Sequence, residues 1–388
     1  SEGAIPQEGE SQGMKGNIQQ RGPGTWRLRY DVPSPEGRKQ VSETVRGNKR
    51  DAQRALRERL AAIDKGIYIE RSEEAVAEYL ERWLEVHSAQ VSLRTRVGYA
   101  TCINRFKLHF GAVALQKLRP EHIQASYDAM LESGLTGRTV LHSHRVLSQA
   151  LKDAVKWGLI LRNPADVASP PRAEKKEAVA WNADIISKFM DAAEGCRYRD
   201  VYSLAALTGM RRSELAGLKW PDIDTKSGRL RVVRTRQRIP GHGIVEGQPK
   251  THRSRRTVAL SPSAVSVLES IKTNQIEMRL KAGPLWQHTD YIFTMENGAP
   301  IDPDNLSREF RRIVKEARLP HGTLHGLRHA YATALLSANV HPAVVQSALG
   351  HSSITLTTDT YSHVMPGLEE AAARRIDDIL GDAVAGNS

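Results

Sequence analysis

The chain has 388 residues, enough for two or three domains with cores of their own, and 40% of them are hydrophobic, an ordinary share for a globular protein. Its formal net charge of +12 favours a polyanionic partner, because each phosphate neutralised by lysine or arginine releases counterions, although a basic surface can also serve solubility alone. Two distant cysteines, Cys102 and Cys196, argue against a thiolate zinc site and for a reducing, cytoplasmic compartment, and no apolar run nears the roughly 18 residues of a membrane span.

Residues 1–16 are polar and Gly-rich, which predicts a disordered tail with Met14 as a candidate start. A first domain is expected over 17–66. There TWRLRYDV and KQVSETV alternate large and polar residues about the turn PSPEGRK, a hairpin within a small three-stranded sheet. In the following KRDAQRALRERLAAIDKG, Ala52, Ala55, Leu56, Leu60 and Ile63 make one helical stripe and arginines the other. A sheet carrying Trp26, Arg27 and Arg29 over one helix could present a basic face to DNA; a structural cap with solvated arginines fits the same residues.

Residues 72–160 predict a four-helix domain. Ser72 is placed to cap a helix whose Val76, Tyr79, Leu80 and Trp83 fall at i, i+3, i+4 and i+7, and periodic segments follow at Val97–Phe110, Pro120–Leu131 and Arg138–Trp157. Arg94, Arg96 and Arg105 can line a DNA-facing side or form an ordinary solvated face. The stretch LRNPADVASPPRAEKKE breaks the periodicity, so 161–178 reads as a linker. In the last domain, 179–388, helices surround a strand-rich insert in which RLRVVRTRQ and RTVALS bracket a polar loop, a twisted hairpin with a basic tip.

Four short pieces of that domain carry chemistry. In ALTGMRRSELAGL a helix breaks at Gly209; Arg211 follows, and Glu214 can lock the rigid donor fork of that arginine toward a phosphate or hold it in a structural salt bridge. In QPKTHRSRRTV, Lys250 sits at the expected hairpin tip, a proton donor to a cleft or one more exposed lysine. In TLHGLRHAYATALL, His325 and Arg328 are read on one helical face with Leu324, Leu327, Tyr331 and Leu335 packing on the other. His325 and His329 have metal-ligand spacing, but Gly326 stands where H-E-x-x-H needs glutamate and Arg328 would repel a cation, so no metal is expected. Finally LGHSSITLTTDTYSHV offers His351 and a lone Tyr361 in a segment too polar for a core strand and too rich in threonine for a good helix.

Taken in order, T-G-x-R-x-x-E-L, the P-K-T loop, H-x-x-R-H and L-G-H followed by tyrosine resemble the tyrosine recombinase family, phage-type integrases in particular, and the resemblance spans nearly the whole chain. It implies a mainly α, multidomain fold: an arm-type DNA-binding domain, a helical core-binding domain, and an α+β catalytic domain. It also implies site-specific integration and excision of a mobile element. Tyr361 would attack a backbone phosphate to give a 3′-phosphotyrosyl link. Arg211, Arg328, His325 and His351 would surround the non-bridging oxygens, and Lys250 would protonate the departing 5′ oxygen. Register with the first motif selects Arg211 over Arg212. No cofactor is implied. The implied partners are double-stranded DNA at core and distal arm sites, three further copies forming a homotetramer on DNA, and accessory proteins such as a host DNA-bending protein and an excision factor, with no membrane.

Chemistry fits those roles. A tyrosine of pKa about 10 is ionised in about one molecule in a thousand at neutral pH, a cost of roughly 4 kcal/mol that a cationic surround and a neutral histidine can offset. A catalytically silent architectural DNA-binding protein on the same scaffold is the alternative; a metal-dependent nuclease would need clustered acids that do not accompany these motifs. After Pro366-Gly367, Leu368, Ala372, Ile376, Ile379 and Leu380 share a helical face expected to dock on this domain or on a neighbouring subunit.

Overall fold

The computed structural model describes residues 16–34, 37–66, 68–173, 181–249, 254–350, 375, 376 and 380. Residues 1–15 of the expected tail lie outside them, as do Lys250, His351 and Tyr361. The chain divides into two compact units, residues 1–174 and 175–388, mainly helical with small antiparallel sheets.

The first unit opens with β1 (Gly16–Gly22), β2 (Thr25–Ser34) and β3 (Gly37–Arg46), paired in that order, followed by α1 (Lys49–Asp64). Gly16, expected in the tail, therefore begins a strand. Asn48 starts α1 reciprocally: its side chain accepts from the Asp51 N–H, and the Asp51 carboxylate accepts from the Asn48 N–H, both at 3.0 Å. Strand alternation sorts β2 into two faces. Leu28, Tyr30 and Val32 are buried against α1 together with Ala52 and Ile63, while Trp26, Ile18 on β1, and Val41 and Val45 on β3 pack around them. Arg27 and Arg29 point the other way, opposite Gln19 and Thr44, and Asn17 and Ser42, respectively. Trp26 thus does not share their face, contrary to expectation. A period of two puts it with Leu28, and its indole N–H donates to the Gly47 carbonyl at 3.1 Å.

The same unit continues with α2 (Val76–Ser88), α3 (Leu93–Phe110), α4 (Pro120–Glu132) and α5 (Gly137–Lys156) around a core that includes Tyr79, Trp83, Phe106, Tyr127 and Leu147. Ser72 does not cap α2. The helix starts at Val76, where the Ala75 N–H donates to Glu78 at 3.2 Å, and Ser72 instead accepts from the Glu74 N–H in the preceding turn. Helix α3 begins earlier than its apolar period announces, because Ser92 accepts from the Thr95 N–H. Arg94 and Arg96 consequently lie in its first turn. Beyond α5, Asn163 and Ala165 are buried, and the Asn163 amide donates to the Ser148 carbonyl at 3.3 Å, so the stretch read as a linker begins packed on the helical domain.

The second unit runs α6 (Ala183–Ala192), α7 (Arg199–Thr208), α8 (Arg212–Leu215), β4 (Ile223–Asp224), β5 (Arg229–Val232), β6 (Thr235–Ile239), β7 (Gly243–Gly247), β8 (Arg256–Ala259), α9 (Pro262–Ala282), α10 (Pro303–Glu316), α11 (Leu324–Ser337) and α12 (Pro342–Leu349). Trp181, Phe189, Tyr202 and Phe310 stack and tilt against one another at its centre. The insert is not one hairpin. Strand β5 pairs with β4 and β8, and the intervening loop folds its own hairpin from β6 and β7, whose turn is at 240–242. GIVEG, five residues of the loop that looked merely polar, is a strand because its partner TRQRI supplies the ladder. Lys250, expected at a hairpin tip, falls in sequence between β7 and β8 and lies outside the described residues. No helix among the described residues is long and apolar enough to cross a membrane.

Candidate active site

The break between α7 and α8 shows why its sequence must be T-G-x-R. Gly209 ends α7 in the left-handed region at φ 61°, and a Cβ there would stand 2.5 Å from the Tyr331 ring and 2.9 Å from Leu349. Two residues on, Arg211 caps α8: its N–H donates to Glu214 Oε2 at 2.9 Å and its Nη1 to Oε1 at 2.7 Å. Glu214 is only 1% exposed, and a carboxylate so buried requires a charged partner. Arg256, the first residue of β8, supplies it by donating from Nη1 to Oε1 at 3.1 Å and from Nη2 to Oε2 at 3.0 Å. Burial by itself would push the Glu214 carboxyl up; the charge and hydrogen bonds of Arg256, with those of Arg211, outweigh it and hold the group below the usual carboxylate range.

Helix α11 brings the second half of the site. Arg328 is 2% exposed, so it does not share a solvent face with His325 as expected. The reason is helical spacing: Arg328 stands four residues from Leu324 and one from Leu327, inside the buried stripe, whereas His325 falls outside it. Its Nη1 donates to the Gly209 carbonyl at 2.7 Å and its Nη2 to the Leu349 carbonyl at 2.6 Å. The end of α12 is thus held at three successive carbonyls by three arginines. Ala348 accepts from Arg256 Nε at 2.7 Å, Leu349 from Arg328, and Gly350 from Arg211 Nη2 at 3.4 Å. These are the carbonyls a helix leaves without internal partners, at the negative end of its dipole. His351 follows Gly350 directly in sequence.

The His325 ring lies against His329 at 4.9 Å, edge to face. Its pKa is pushed down to about 4, first by burial of the ring, then by His329, Arg328 and Arg211, with Glu214 opposing. The residue as a whole keeps an exposed surface, which tempers the burial contribution, but the positive neighbours act in the same direction and leave the imidazole neutral near pH 7. Arg211, Glu214, His325 and Arg328 are therefore together in space. Arg212 turns away, toward Asp304 at 3.0 Å and the Ser307 hydroxyl at 2.9 Å.

Of the residues read as DNA-facing in the first unit, Arg29, Arg94 and Arg96 are exposed, Arg27 is half-buried, and Arg105 is half-buried and donates to the Ser143 hydroxyl at 3.0 Å. Two arginines in the first turn of α3 oppose its dipole, so they are not there to stabilise the helix. Among the described residues, no group of three or more histidine, cysteine, aspartate or glutamate side chains is gathered as a metal site.

Two family models match this chain: the phage integrase family over residues 181–367, the span holding the site, and the SAM-like N-terminal domain of phage integrases over 75–131. Together they cover more than half of the sequence. The chain belongs to the phage integrases, a family of tyrosine recombinases. A tyrosine recombinase XerC-like protein of Caldanaerobacter subterraneus subsp. tengcongensis is 28% identical, over 94% of this chain and 99% of its own length. The ICEBs1 integrase of Bacillus subtilis is also 28% identical, over 69% and 72%. In fold, the chain is similar to the Tn1549 transposon integrase in complex with a circular intermediate DNA, with a TM-score of 0.69 at 22% identity over 78% of this chain and 99% of that one. It is similar as well to a lambda integrase tetramer bound to a Holliday junction, with a TM-score of 0.56 at 21% identity over 87% and 96%.

Sequence reasoning missed Arg256 in this integrase. The signal was present: in RTVA a period of two puts Arg256 on the side of buried Val258, and an arginine aimed inward needs an anion. The motif spacing alone pairs Glu214 with Arg211.

Proposed function

We propose that this integrase cuts and rejoins DNA at its own sites through Tyr361, whose hydroxyl oxygen bonds to the scissile phosphorus as the bond from phosphorus to the 5′ oxygen breaks. The tyrosyl proton passes to neutral His325, Lys250 gives a proton to the departing 5′ oxygen, and a second strand's 5′ hydroxyl later reverses the reaction on a new partner. Arg211 and Arg328, with His351, face the non-bridging oxygens, and Glu214 orients Arg211. The observation that carries this reading is the gathering of Arg211, Arg328 and a neutral His325 at the end of α12, one residue before His351.

The outward face of the N-terminal sheet, with Arg27 and Arg29, reads distal arm sites. The helical domain, with Arg94, Arg96 and Arg105, grips core sites. Trp26 is structural. Four copies assemble on DNA, a reading supported by the lambda integrase tetramer on a Holliday junction. Ile376 and Leu380, the described members of the C-terminal stripe, are exposed, which favours docking on a neighbouring copy. Such a reaction can engage a host DNA-bending protein and an excision factor in the cytoplasm.

Replacing only the nucleophilic oxygen tests the central step. Tyr361→Phe is expected to bind its site as before and to form no covalent adduct on a nicked suicide substrate. An adduct with the Phe protein would remove Tyr361 from the mechanism, whereas adduct formation by the unaltered protein sets aside the architectural alternative.

A further inference from the structure

Arg256 is not one of the arginines proposed to meet the phosphate, yet it bonds to groups that hold them. Two of its nitrogens fix both oxygens of Glu214, the carboxylate that orients Arg211, and the third donates to Ala348, two residues before Gly350 and three before His351. Its side chain is 5% exposed against 1% for Glu214, so the ion pair is made out of solvent. Without Arg256, the ion-pair partner left to Glu214 among the described residues would be Arg211, an arginine whose own side chain is one-third exposed. The Arg256 fork is planar and uses the carboxylate bidentately, a geometry that lysine cannot reproduce.

We propose that Arg256 is a positioning residue for strand cleavage, setting Arg211 through Glu214 and the end of α12 through Ala348. The proposal rests on the reading of Arg211 as a phosphate-binding group. It requires Arg256 to affect charge stabilisation at the phosphate, not merely the amount of folded protein. A buried guanidinium that served the fold alone would change cleavage of every substrate equally.

Single-turnover cleavage at saturating protein separates the two. Substrates would carry either an ordinary phosphodiester or a methylphosphonate at the scissile position; the latter has one non-bridging oxygen and no charge, and demands less of Arg211. Arg256→Lys keeps the charge and loses the fork. It is expected to bind a core half-site within about twofold of the unaltered protein and to cleave the diester slower by on the order of 10²-fold, the scale of an ångström-sized misplacement. On the methylphosphonate the deficit should shrink to a few-fold. Arg256→Gln, which retains a donor to Glu214 without charge, should show the same selectivity. Equal losses on the two substrates, no loss on the diester, or loss of half-site affinity in both variants would each overturn the proposal. Arg211→Ala, run alongside, judges the underlying reading separately: if it too loses equally on both substrates, Arg211 does not serve the phosphate charge, whatever Arg256 does.

Discussion

Two regions of the molecule use arginine in opposite ways. On the N-terminal sheet, Arg29 stands in solvent among polar neighbours from β1 and β3, and among the described residues no ion pair holds it. At the end of α12, Arg256 and Arg328 are almost wholly buried, and their nitrogens are taken by a carboxylate and by backbone carbonyls. The first arrangement retains full side-chain freedom and acts through screened charge, which suits reading many phosphates along a duplex. The second surrenders that freedom before substrate arrives, which suits stabilising charge at one phosphorus. Residue type is the same in both; exposure decides which work it does.

Substitutions on the two sides should separate cleanly. The largest effect is expected from Arg211→Ala: cleavage of the diester should fall about 10²- to 10³-fold, as for loss of one preorganised donor, with arm-site affinity unchanged in a gel shift. Binding of arm and core sites falling together would mean that the two regions are not independent.

On the sheet side, Arg27→Ala and Arg29→Ala should each lower the slope of log affinity against log salt for arm sites by about one, while core-site cleavage stays as it was. Removing residues 1–66 should abolish arm-site binding altogether and leave core-site cleavage. Arm-site binding that survives the truncation would make the module a cap.

The smallest effect is a titration. In DNA-free protein, His325 should titrate near pH 4 in an NMR experiment rather than near its ordinary 6.5. Because its folded pKa is depressed, the unfolded chain binds the proton more readily across that window. The contribution of His325 to stability is thus complete above about pH 6.5 and is lost as pH falls toward 4. Glu214, also depressed, has the same sign at lower pH: its contribution is present above the unfolded carboxyl pKa of about 4.3 and is lost as pH falls through the folded value. Thermal melts of the protein should therefore decline monotonically from pH 7 to 4. A His325 pKa near 6.5 would show that burial and the cationic neighbours do not depress it, and about a quarter of the ring would then be protonated at pH 7.

Much of the fold could be read from local signals. Helices α4 and α5 appear in the sequence almost at their true limits because their apolar periods run from end to end, and Gly66 and Gly158 punctuate the chain where a left-handed residue is needed. What could not be read depends on partners distant in sequence. GIVEG has no apolar alternation of its own and is a strand only because TRQRI lies beside it. Trp26 and Arg27 are neighbours in sequence but occupy opposite faces, a sorting that follows once the strand register is known. In the site, the motif spacings picked out Arg211, Glu214, His325 and Arg328, but the burial of Arg328 could have been caught from its place in the Leu324–Leu327 stripe, and Arg256 from its alternation with Val258.

The three arginines that close on α12 also set when, in the life of a chain, the site can exist. Gly209 and Arg328 are separated by 119 positions, Arg211 and Gly350 by 139, and Arg256 and Ala348 by 92. Contacts of such long range form late, since the entropy of closing those loops is lost before the contacts return any energy. A ribosome that has released the chain only as far as α10 has made Arg211 and Glu214 but neither Arg328 nor the α12 carbonyls, and Tyr361, the proposed nucleophile, is still unmade. On the proposed reading, nascent and prematurely terminated chains therefore lack the means to cleave DNA, whichever of the earlier domains they already hold.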